Sequence, residues 1–134
     1  QISKDLVSEP SADAGGSGYD CLAPDGSEIR LLLARKGGSL VHCSLGAGQV
    51  SGPVRHQTVE ELWYFIEGQG EVWRRPPGAA TGEVTLVRPG TALDLPVATH
   101  FQFRNTSTRP LRFIIVTMPP WPGDEEAVPV DGIW

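Results

Sequence analysis

The chain has 134 residues, 40% of them apolar, and a formal net charge of −5. That length suits one domain, which buries enough surface to fold without disulfides or a structural metal. The acidic balance argues against a nucleic-acid partner, which would want a basic face, and no apolar run reaches the length of a membrane span.

Residues 1–19 are polar and Gly/Ser-rich, and read as a loose arm with a short strand near Asp5–Val7. "APDGSE" (23–28) is a turn, because Pro-Asp-Gly supplies the dihedrals of a reversal. Residues 28–35 and 39–45 read as strands around the glycine pair at 37–38, and residues 46–54 as a glycine-rich loop. From Glu61 the chain alternates: Glu61, Trp63 and Phe65 share one face, and Leu62, Tyr64 and Ile66 the other. Large apolar groups on both faces predict a strand covered on both sides. Residues 68–75 form a turn and return strand, and 76–83 a hairpin loop. Short strands follow at 84–90, 91–96, 100–105 and 111–118. The tail, 119–134, is Pro-rich and acidic, yet Trp121 and Trp134 predict that it folds back on the body.

Sixteen glycines and twelve prolines thus separate nine or ten short strands, with no internal repeat and no persuasive helical period. The expected architecture is all-β: a single-domain jelly-roll barrel over residues 20–118, preceded by the arm and followed by the packed tail. Cys21 and Cys43 have no metal-site spacing and read as reduced thiols. With no charged segment leading into an apolar core at the N-terminus, the expected location is cytoplasmic.

Two spaced patterns then stand out. Gly48, Val54, His56, Glu61 and Gly68 fall at the spacing G-x5-H-x-H-x4-E-x6-G, with Val54 in place of the first His. Gly90, Pro96, Ala98, Phe101 and Asn105 fall at G-x5-P-x-G-x2-H-x3-N, with Ala98 for the glycine and Phe101 for the His. On these motifs the chain resembles the cupin family, whose fold is the jelly-roll β-barrel. The resemblance implies a divalent transition metal (Fe, Mn or Zn) held by His and Glu side chains, and a small organic substrate. Dioxygenation, isomerisation and decarboxylation are all activities it allows.

With Val54 and Phe101 unable to ligate, the set that the resemblance leaves is His56, Glu61 and, one position early, His100. A 2-His-1-carboxylate set leaves open coordination positions for substrate. It requires His100 to turn inward, through a shift or bulge at the start of its strand. In the unshifted register Phe101 and Phe103 point in instead, and with Trp63 and Phe65 they are the expected lining of a substrate pocket. The competing reading is a metal-free barrel of the same fold that binds, senses or carries a small molecule. No separate acid or base stands out as catalytic. His42 reads as a satisfied or exposed histidine, Cys43 as a small core residue, and Asn105 as a turn-closing residue. A homodimer is expected through the two-faced apolar strand "LWYFI" and the tryptophan-bearing tail.

Overall fold

Local alternation builds most of the strands, and the computed structural model describes residues 9–16 and 18–134. The reading of a strand near Asp5–Val7 lies outside the described residues. Along the chain run Cys21–Leu22 (β1), Glu28–Arg35 (β2), Gly38–Leu45 (β3), Val54–His56 (β4), Glu60–Glu67 (β5) and Gly70–Arg75 (β6). Then come Glu83–Val87 (β7), Ala92–Leu95 (β8), His100–Asn105 (β9), Leu111–Met118 (β10) and Ala127–Pro129 (β11), the last preceded by a 3₁₀ turn at Asp124–Glu126.

The strands form two antiparallel sheets, β1-β2-β3-β10-β5-β8 and β11-β4-β9-β6-β7, stacked as a jelly roll. The expected barrel is not closed: pairing ends at β1 and β8 in one sheet and at β11 and β7 in the other. Their inner faces meet in a core led by Phe65, Phe101, Phe103, Leu111 and Phe113, each 2% exposed or less. The period-2 pattern of β10, Leu111-Phe113-Ile115-Thr117 in and the residues between them out, is what a half-covered antiparallel strand requires.

β5 departs from expectation. Glu61, Trp63 and Phe65 face the core, while Leu62, Tyr64 and Ile66 are 50%, 52% and 39% exposed. The strand is therefore covered on one face within the chain. Alternation of large apolar groups on both faces records only what the residues are, not what packs on them.

Two backbone positions explain motif spacings. Gly68 takes φ +81°, and a Cβ there would lie 2.4 Å from the Pro110 carbonyl oxygen, so the turn after β5 admits only glycine. Ala98, where the second motif has glycine, holds φ 68° in the left-handed region that costs an L-residue about 1–2 kcal/mol. Its N–H donates to the His56 carbonyl at 3.1 Å, tying the β8–β9 turn to the end of β4.

Candidate functional site

His56 ends β4 and Glu61 lies at the start of β5, so the three-residue turn 57–59 carries the chain from one sheet to the other between them. Across that gap His56 Nδ1 and Glu61 Oε2 stand 3.8 Å apart, with side chains 8% and 5% exposed. Glu126 staples the turn: its Oε2 accepts from the Thr58 N–H at 2.6 Å and the Val59 N–H at 2.7 Å, and its Oε1 from the Thr58 hydroxyl at 2.8 Å. Burial works against charge on Glu126, yet these donors outweigh it and hold the carboxyl below its ordinary range.

Inside the sandwich, Trp63 sits edge-on to Phe101 and Phe103 at 5.5 and 5.3 Å and tilted against Phe113 at 4.5 Å. Its indole N–H donates to Glu61 Oε1 at 2.8 Å, a contact between residues two apart on one strand face. His56 is flanked edge-on by Phe101 and Trp121, 5.1 and 5.0 Å away. The large aromatic side chains come from β5, β9 and β10, whereas Ile29, Val41 and Cys43 on β2 and β3 are smaller. A cavity of about 250 Å³ remains between the sheets, lined by these residues together with Asp25, Ser27, Thr117 and Asp124.

Asp25 enters from the β1–β2 turn. Its Oδ1 accepts from the Ser27 N–H at 2.9 Å and the Ser27 hydroxyl at 2.6 Å, and its carbonyl accepts from the Gly52 N–H at 2.8 Å, which pins the turn over the cavity. Burial raises the Asp25 carboxyl against those hydrogen bonds. Burial likewise raises Glu61 to about 7, opposed by the Trp63 hydrogen bond and aided by Asp25 and Glu126. His56 is lowered to about 4 by burial, with Glu126 opposing. Near neutral pH the His56–Glu61 contact therefore joins a neutral imidazole to a carboxyl that is poised to ionise, not two fixed charges. Burial also raises the Cys43 thiol well above its ordinary value, so it contributes to the wall as a small apolar group.

Of the expected ligands, His56 and Glu61 are brought together and His100 is not. β9 keeps the unshifted register: Val54 pairs with Phe101 and Arg55 with His100. Phe101 and Phe103 consequently line the cavity, while His100 shares the opposite face with Arg55 and Arg75. Arg75 Nη2 donates to His100 Nδ1 at 2.9 Å, and burial followed by the charges of Arg75 and Arg55 lowers the imidazole's pKa. The left-handed Ala98 absorbs the turn before β9, so no bulge re-aims His100. Among the described residues no three His, Cys, Asp or Glu side chains are grouped to hold a metal ion. The two remaining donors, one of them already accepting from Trp63, do not fit a resident divalent metal.

Of the residues expected to line a substrate pocket, Trp63, Phe101 and Phe103 border the cavity. Phe65 lies behind them, fully buried against Phe113 with ring centroids 4.6 Å apart. His42 is on the outer face, where its Nε2 accepts from Arg112 Nε at 3.0 Å. Sequence reasoning missed Asp25, Ser27 and Asp124 as cavity residues; the Asp-Gly of the first turn signalled a reversal but not what it would overhang.

A profile of the family described as Cupin domain matches residues 41–117. No curated protein matches the chain in sequence. Among solved structures, the capsular polysaccharide assembling protein CapF from Staphylococcus aureus superposes with a TM-score of 0.72 at 15% identity over 82% of this chain. This chain spans only 33% of that longer one. Drosophila melanogaster CENP-C bound to CAL1 gives 0.70 at 11% identity, covering 80% of this chain and 84% of that one. Lactobacillus farciminis oxalate decarboxylase, in its formate complex, gives 0.67 at 16% identity, covering 78% and 31%. Likeness at these identities is likeness of fold. No helix among the described residues is long and apolar enough to cross a membrane.

Proposed function

This chain belongs to the cupin domain family, and on that premise we propose that it binds a small, largely apolar molecule between its sheets without a resident metal. The observation that carries this reading is the donor set. At the motif positions that would complete a metal site stand Val54 and Phe101, both in the cavity wall, and the nearest histidine, His100, is engaged by Arg75 on the opposite face. What remains is an aromatic cavity of about 250 Å³ with His56 and Glu61 as polar fixtures in an apolar wall, the arrangement of a ligand pocket. Carriage or sensing fits such a site, because binding itself is then the output. A dioxygenase, isomerase or decarboxylase of the metal-dependent kind would need a third donor that this geometry does not supply.

The test is calorimetric titration of the protein with 2-phenylethanol, a neutral one-ring probe, before and after treatment with a chelator. Saturable binding at one site per chain is expected, with affinity unchanged by chelation within about twofold. Leu31→Trp, at the cavity rim where Leu31 is 53% exposed, should weaken binding about tenfold or more by obstruction. His100→Ala should bind as the parent does. Absence of saturable binding, or its loss on chelation, would overturn the reading.

A further inference from the structure

We propose that the ligand of this cavity carries an ammonium group on its apolar body, held by Glu61 and His56; the proposal rests on the cavity reading above. The sign of the lining is the first argument. Among the described residues Asp25, Glu61 and Asp124 are the acids that line it, Glu126 stands behind them, and no lysine or arginine lines it. A carboxylate or phosphate would enter an apolar space lined by acids with no base to meet it, whereas an ammonium favours the ionised form of the carboxyls it meets there.

The second argument is unspent hydrogen-bonding capacity. His56 is more than nine-tenths buried, and neither ring nitrogen has a hydrogen-bond partner among the described residues. Glu61 spends Oε1 on Trp63 but leaves Oε2 without a donor, 3.8 Å from His56 Nδ1. Both groups therefore open onto the cavity, since among the described residues no fully buried side-chain nitrogen or oxygen lacks a partner. A neutral imidazole offers one acceptor nitrogen and a carboxyl offers more, and their spacing lets one multi-hydrogen donor reach both. An alkylammonium is such a donor, with three N–H bonds and no need of an acceptor of its own. The third argument is the wall. Phe101 and Trp121 flank His56, and Trp63 bonds to Glu61, so aromatic rings stand beside both groups that would meet the cation.

Three probes of one size and different charge separate the possibilities: 2-phenylethylamine, 2-phenylethanol and phenylacetate, titrated at pH 7. The amine is expected to bind tightest, at least about tenfold ahead of phenylacetate. Glu61→Gln should bring the amine down to the level of the alcohol on the same variant, erasing the amine's advantage in the parent. Asp25→Asn serves the same comparison should Glu61→Gln fail to fold. Phenylacetate equal to or tighter than the amine would overturn the ammonium assignment, with alcohol binding leaving the cavity reading in place. Equal affinity for amine and alcohol in the parent would overturn it too. Failure of all three probes to bind would overturn the cavity reading and this inference together.

Discussion

Replacing Glu61 with Gln stabilises the protein relative to its parent by about 3 kcal/mol more at pH 7.5 than at pH 4.5. Glu61 is 4% exposed and its carboxyl is raised from 4.5 to about 7, chiefly by burial. A raised acid contributes its full share of stability below the unfolded pKa of 4.5, and loses it as pH climbs through the folded value of about 7. His56 runs the other way. Lowered from 6.5 to about 4, it contributes fully above pH 6.5 and loses that contribution as pH falls through 4. In the parent the two slopes oppose each other between pH 4.5 and 6.5 and leave a plateau. Gln removes the acid and keeps the shape, so the downward slope that Glu61 imposes across that window is absent from the variant. Asp25, also raised, and Glu126, lowered, act in both proteins and drop out of the difference. Urea melts of both proteins at half-unit pH intervals check this; a difference independent of pH would contradict it.

Glu126→Ala is expected to cost about 3 kcal/mol, because it strips the acceptors from three donors at once. The Val59 N–H is the most expensive of them, since Val59 is fully buried and its donor loses its acceptor. Glu126→Gln retains one carbonyl oxygen and should cost less, about 1–2 kcal/mol. The effect reaches the site, because the turn that Glu126 holds has His56 at one end and Glu61 two residues past the other. Loosening it should therefore weaken probe binding as well as lower the denaturation midpoint. A loss below about 1 kcal/mol for Glu126→Ala would show that the turn holds its shape without the staple.

How far the sequence reveals this molecule depends on the length of the element and the reach of the contact. β9 and β10 are legible because six and eight residues of strand pattern outweigh local ambiguity. β4 and β11 are three residues each and pair with one another through contacts that join positions 54–56 to 127–129. No local pattern announces such a pairing, and Pro129 at the end of β11 reads as tail. His56 and Glu61 are legible because their spacing is a property of one short segment that turns between sheets. The direction of His100 is not, since both registers of "HFQFRN" satisfy alternation. What decides it is the pairing of Val54 with Phe101 and the left-handed turn at Ala98, both beyond the strand itself. Asp25 and Glu126 are polar residues in turn-like stretches, and their significance arises only when the fold carries them over a cavity or beneath a distant loop. The open outer face of β5, with Leu62, Tyr64 and Ile66 exposed, likewise follows from layer order, which alternation alone does not specify.

We propose that the pocket of this cupin holds no resident metal, because among the described residues no third donor joins His56 and Glu61. The direct measurement is metal content by mass spectrometry, on protein reconstituted separately with Fe(II), Mn(II) and Zn(II), then desalted. Well below one ion per chain is the expected result for each metal, in the parent and in His56→Ala alike. One ion per chain in the parent, lost in His56→Ala, would contradict the account and give the site the third ligand that its geometry lacks.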